Sequence, residues 1–396
     1  MNKIIEFKNG EKKINKKKIA IVTTLVIILI ALIVIIAVYA NNKEFRDFMD
    51  KYILRKDVYS ENVPTIELNS YSNNNVIAFD NTICVLSENT LKKYNSSGKQ
   101  TAEIKLQINN PVYSTAGKYL AIGEKNSQKA YLISGENIVW EKEVEGNISK
   151  INVNENGYVS IIVTGTTYKS VIITLDEKGN ELFKNFLANT TAIDTSISKD
   201  NKYMAYAEIN TGGTSVKSNV KIISIDNART ENEEPVVYTY EAEDNNLIIN
   251  IKYQDKDRLV CMFDSSIYLI YDNKAEEILK LKEDNKKIIF GDIELSNYAI
   301  RLQEESAGLF SSGNTVLDIK NVLTGKTNNS TIEGIARDLY CYNDIVAINL
   351  GTEVDFLNTT GWLVKRYNSS QEVRNIVIGR GIAGIVYIDK IEIVNL

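Results

Sequence analysis

The chain has 396 residues, a formal net charge of −5, 24% charged side chains, three cysteines and no histidine. The missing histidine excludes Ser-His-Asp and Cys-His nucleophilic sites and most zinc sites. Cys84, Cys261 and Cys341 are far apart in sequence, so they make neither a disulfide framework nor a metal knuckle; their settings (TICVLS, LVCMF, LYCYN) read as small buried hydrophobes.

Residues 1–18 carry seven lysines against Glu6 and Glu11, a local charge of +5 that leaves −10 for the remainder. A basic tail before an apolar run stays on the cytoplasmic side and meets anionic lipid. The acidic remainder argues against nucleic acid as a partner. Residues 19–40, from Ile19 to Ala40, hold no charge. At ~1.5 Å per residue this run crosses a hydrocarbon core of roughly 30 Å, which makes the lipid bilayer its expected partner. Val38-Tyr39-Ala40 is a passable signal cleavage site, but the run exceeds the ~7–15 residues of a signal core, which favours an uncleaved anchor. A buried soluble helix would not be apolar on every face. The sequence thus predicts a cytoplasmic N-terminus and an extracellular C-terminal domain. Scarce proline and abundant Asn, Lys and Ile fit an AT-rich, low-GC Gram-positive genome.

Residues 41–56 place Phe45, Phe48, Met49, Tyr52 and Ile53 on one helical face, opposite Lys43, Glu44, Asp47, Asp50 and Lys51. They predict an amphipathic stalk helix that continues the anchor.

From residue 57 to 396 the period becomes alternating, with turn clusters every 8–12 residues, as in all-β chains. An apolar strand recurs eight times: NVIAFD (75–80), KYLAIG (118–123), YVSIIV (158–163), KYMAYA (202–207), RLVCMF (258–263), NYAIRL (297–302), DIVAIN (344–349) and GIAGIVY (381–387). Candidate strands precede it (IELNSY, KINVN, DTSIS, INIKY, DLYCY) and follow it (AYLIS, VIITLD, KIISID, IYLIYD, VLDIKN, VDFLN). Four short strands per unit of ~40–45 residues is the pattern of a β-propeller. Eight blades are expected, with seven the alternative if one copy is degenerate. The last copy ends after three strands, and a segment around Asp57–Val63 is placed to supply the fourth and close the ring.

Several units contain a polar hairpin before an apolar or aromatic strand: TLDEKGNELF (174–183), YNSSGKQTAEI (94–104), LISGENIVW (132–140) and FLNTTGWLV (356–364). This resembles the repeat of quinoprotein-like propellers, in which an Asp-x-x-Gly turn leads to a tryptophan; here only Trp140 and Trp362 keep it. The architecture also looks like an uncharacterised family of membrane-anchored propellers from low-GC Gram-positive bacteria. The resemblance implies a fold, and it carries over no cofactor and no quinone site.

Asp176 and Gly179 read as a hairpin turn rather than a calcium loop, because the further acidic ligands of an EF-hand are absent. No carboxylate pair of a glycosidase stands out among 51 acidic residues, and no catalytic or metal-ligating residue is assigned. Loops 165–169, 209–219 and 304–314 join second to third strands and are rich in Gly, Ser and Thr. They predict a partner-binding face bearing Tyr168, Thr211, Gly212, Gly213, Lys217, Leu309 and Phe310. Leu309 and Phe310 either anchor a partner or tuck under their own loop. The expected function is a non-catalytic binding or scaffold module for an envelope protein or cell-wall glycan. The alternative is a carboxylate-dependent hydrolase acting on cell-wall glycan at the propeller mouth. Clustered carboxylates with raised pKa in a deep mouth would favour the hydrolase.

Overall fold

A 26-residue helix, Lys16–Asn41, opens the computed structural model, which describes residues 16–49, 53–54, 63–69, 74–230, 233–284, 287–305, 313–369 and 371–396. The chain divides into two units, Met1–Val58 and Tyr59–Leu396. Within the first, Ile21–Asn41 is long and apolar enough to cross a membrane. The Arg46 side chain folds back onto the carbonyl oxygens of Tyr39 (3.1 Å) and Ala40 (3.0 Å), placing a cation at the helix C-terminus where the dipole favours it. The expected stalk of residues 41–56 is described only in part, since 50–52 and 55–56 lie outside the described residues, and it does not run on unbroken from the first helix. Asn42 is extended (φ −124°, ψ 113°) and its side chain accepts from Phe45 N–H, so it starts a separate helix, Lys43–Phe48. Of the predicted apolar stripe, Phe48 and Ile53 are exposed. Tyr52 lies outside the described residues.

The second unit is an eight-bladed β-propeller: eight four-stranded antiparallel sheets whose strands follow one another in sequence. Blades 1 to 7 span residues 75–105, 111–143, 147–187, 191–241, 248–280, 287–333 and 338–368. Blade 8 takes three strands from residues 375–395 and its fourth from Thr65–Glu67. Thr65 pairs with Glu392, Ile66 with Ile391 and Glu67 with Lys390. The closing strand therefore begins two residues beyond the expected segment 57–63, of which 57–62 lie outside the described residues. Ile66, 4% exposed, packs in one core with Ile391 and Ile393, an anchorage that VYSENV does not offer. The register of the first repeat also differs from expectation. Asn75–Phe79 is the innermost strand of blade 1, not its second, and Ile66 and Glu67 of IELNSY belong to blade 8.

Each blade is covered on both faces by its neighbours, which explains the patterns along the chain. Second and third strands such as Val159–Thr164, Ser170–Leu175 and Leu259–Phe263 are buried nearly throughout and read as continuous apolar runs. Outermost strands such as Asn137–Glu143 are mostly exposed. Neighbouring blades are latched by buried hydroxyls at the start of third strands. Ser170 and Ser218 accept from the backbone N–H of Ala192 (3.1 Å) and Ile248 (3.1 Å) in the following blade, and Thr315 from that of Ala336 (2.9 Å) in the link that leads into the next one. The hairpin reading of Asp176 holds: its carboxylate accepts from Lys178 and Asn180 N–H, and Gly179 turns at φ +82° with its Cα against the Trp140 ring of the preceding blade. Cys84 and Cys261 are fully buried, as expected of small hydrophobes.

Candidate functional site

The innermost strands of blades 3 to 6 share one irregularity. Each carries a β-bulge near its start, between Ile148 and Lys150, Ala192 and Asp194, Ile248 and Asn250, and Ile288 and Phe290. A bulge resets the inside–outside alternation for the rest of its strand. Past the bulges of blades 3 to 5, polar residues recur at every second position: Lys150, Asn152 and Asn154; Asp194, Ser196 and Ser198; Asn250, Lys252 and Gln254. Most of these side chains, with Tyr113, Glu294 and Tyr342, line a funnel of about 540 Å³ at the end of the axis where the innermost strands finish. That volume lies within the ~300–1,000 Å³ of small-molecule sites.

Most of the charge in the funnel is paired. The four carboxylates on its wall each pair with a cation: Asp194 with Lys150 (2.7 Å), Glu294 with Lys252 (2.7 Å), Asp80 with Arg380 (2.9 Å) and Glu155 with Lys199 (3.7 Å). The fifth cation on the wall, Lys118, stands 5.2 Å from the centre of the Tyr119 ring. Asp194 staples three blades. Its carboxylate accepts from Asn152 (2.9 Å) and Lys150 of blade 3, from its neighbour Thr195 N–H (2.9 Å), and from Ile251 N–H of blade 5 (3.0 Å). Burial nevertheless pushes its carboxyl above the usual range, against the pull of Lys150 and the two backbone donors. Gln254 makes a similar bracket from blade 5 to blade 6, donating to Ile293 C=O (2.7 Å) and accepting from Asn297 N–H (2.6 Å).

Beside the funnel, at the seam of blades 6 and 7, Asp292 accepts from Glu294 N–H (2.7 Å) and stands against the Cys341 thiol. Burial, reinforced by the Glu294 charge, pushes Asp292 up to about 7. Glu294 itself is held below the carboxylate range by the Lys252 ammonium. Burial raises the Cys341 thiol well above its ordinary value, although Cys341, unlike Cys84 and Cys261, is only partly buried and so departs from the small-buried-hydrophobe expectation.

The residues predicted from sequence sit elsewhere. In an antiparallel blade, loops joining second to third strands lie at the opposite end from the loops that follow innermost strands, hence away from the funnel. Tyr168 is there, its ring 4.9 Å from that of Phe186. Thr211, Gly212 and Gly213 occupy the loop between Tyr203–Asn210 and Lys217–Ser224, with Gly212 N–H on Asn210 Oδ1 (2.9 Å). Lys217 pairs with Asp244 at 3.5 Å. Tyr168 belongs to blade 3 and the others to blade 4. Leu309 and Phe310 lie outside the described residues. The funnel residues escape the sequence reading although KINVN, DTSIS and INIKY read as strands. Polar groups at i, i+2 and i+4 in consecutive repeats are the signal that could have found them.

The fold and site define a class: an eight-bladed propeller with an N-terminal apolar helix and a polar, charge-paired axial funnel. More particularly, the chain belongs to the family of unknown function DUF5711, which matches residues 55–396. No curated protein matches its sequence. Among solved structures it is similar to BamB from Moraxella catarrhalis (12% identity, TM-score 0.49, 84% of this chain and 97% of that one). It is also similar to the Cps50 (Swd1) propeller domain of Myceliophteria thermophila (10%, 0.46, 76% and 97%) and to apo AztD from Citrobacter koseri (9%, 0.43, 78% and 96%). At these identities the likeness concerns the fold alone.

Proposed function

We propose that this protein is a single-pass, membrane-anchored propeller held outside the cell membrane, serving as a non-catalytic binding or scaffold module of the envelope. The apolar helix behind seven lysines supports the anchorage and its orientation. The observation that carries the binding reading is the paired charge of the funnel. All four wall carboxylates are neutralised by cations, which suits them to shape a recognition surface rather than to transfer protons. Fractionation and protease shaving of intact cells test the placement. The full-length protein is expected in the membrane fraction, with the propeller digested from outside. A propeller protected until lysis, or recovered as soluble protein, contradicts the reading.

One observation favours a carboxylate hydrolase as a second reading. Asp292 and Glu294 are neighbours whose environments push them in opposite directions, as in an acid and its charged partner. Against it, Asp292 is not among the described residues that line the funnel, and Lys252 holds Glu294. If the protein cleaves cell-wall glycan and Asp292→Asn abolishes the cleavage, the second reading replaces the first.

A further inference from the structure

We infer that the axial funnel takes a neutral, hydroxyl-rich ligand, an uncharged oligosaccharide end, recognised by amide side chains and by the Tyr113 ring. This rests on the binding-module reading and names the chemistry of its ligand. A highly charged ligand finds little free counter-charge on the wall: among the described residues each carboxylate there is already paired, and Lys118, which faces the Tyr119 ring, is the one cation without a carboxylate partner. Five cations against four carboxylates leave a sum of only +1. Displacing Lys150 would leave the buried carboxylate of Asp194 without its counter-ion. The rest of the polar wall is uncharged, and amides and hydroxyls both donate and accept, as a sugar hydroxyl does.

Two groups point to an occupant. Asn250 Oδ1 is buried on the funnel wall without a hydrogen-bond partner, and a buried acceptor left empty costs about 1–3 kcal/mol. That oxygen is turned away from the open space, and a turn of the amide about the Cβ–Cγ bond would present it to a ligand O–H or N–H. Tyr113, in the middle of the innermost strand of blade 2, is 43% exposed on the same wall and offers its ring for the C–H face of a pyranose. A peptide would bring charged termini or side chains that this wall does not match.

The test uses the full chain in lipid nanodiscs, titrated calorimetrically with chitotetraose and cellotetraose. Tetragalacturonic acid and acetyl-tetra-alanine-amide run in parallel. The neutral sugars are expected to bind. Tyr113→Ala and Asn250→Leu should each weaken them at least about tenfold, while Tyr113→Phe stays within about threefold of the parent. An unchanged unfolding temperature of Tyr113→Ala without sugar shows that the fold is intact. Preference for the acid or the peptide, still dependent on Tyr113, overturns the sugar assignment and leaves the binding module standing. Sugar binding indifferent to both variants overturns its placement in the funnel, and no binding of any probe overturns the assignment itself. Cleavage of a tetrasaccharide, lost in Asp292→Asn, overturns the non-catalytic reading as well.

Discussion

Asp194 is buried and Asp292 half-buried, on the innermost strands of blades 4 and 6, and their surroundings give them different roles. Asp194 accepts from side chains and backbone of three blades and acts as a structural staple. Replacing it with Ala leaves Lys150 and two backbone N–H groups without their acceptor. Asp194→Ala should lose about 2–4 kcal/mol in urea denaturation; a loss under about 0.5 kcal/mol would show that the staple is idle. Desolvation, reinforced by the like charge of Glu294, lifts the folded value of Asp292 to about 7, above its ordinary 3.8. The folded state therefore keeps this proton where the unfolded chain has released it. The resulting stability is full below about pH 4 and is lost as pH rises through about 7. Asp292→Asn removes the titration. Relative to the parent, the variant should gain on the order of 1–3 kcal/mol between pH 4 and pH 8, a trend that melts at several pH values would expose.

At the scale of elements, the hairpin turns and the closing strand carry the argument for the ring. Gly179 sits at φ +82°, and a Cβ there would meet Trp140 Cγ at 2.9 Å. Gly179→Ala combines a left-handed penalty with a clash between blades and should cost roughly 2–4 kcal/mol. Gly135, also at positive φ but with open space around its Cα, should lose only about 1 kcal/mol on the same change. Comparing the two denaturation midpoints separates the blade contact from backbone strain. Ile66→Ala should cost about 2–4 kcal/mol, because the closing strand has only three residues to hold it and Ile66 is its one buried side chain. These elements are unequally legible in the sequence. Second strands announce themselves because both their faces are buried. The first repeat reads out of register because the innermost strand of blade 1, Val76–Phe79, is as apolar as a second strand. The closing strand reads as displaced because three residues carry almost no periodicity.

On the scale of the whole molecule, a closed ring of eight sheets gathers the ends of eight innermost strands around one axis. Residues as distant in sequence as Asp80 and Arg380 thereby come within 2.9 Å. No local motif signals such a site, which is why the sequence points instead to glycine-rich loops at the other end. The alternating polar residues of KINVN, DTSIS and NIKYQ are visible, but their meaning depends on bulges that only the paired register reveals. The central claim is that an open polar funnel stands outside the membrane while the basic tail stays inside. The most direct measurement labels intact cells with a membrane-impermeant maleimide, using Glu155→Cys at the funnel rim and Asn9→Cys in the tail. Cys84 and Cys261 are buried, and the partly exposed Cys341 is replaced by Ser in the parent to give a clean background. The account predicts labelling of Glu155→Cys in intact cells and of Asn9→Cys only after lysis. The reverse pattern, or a Glu155→Cys that reacts only after lysis, would contradict it.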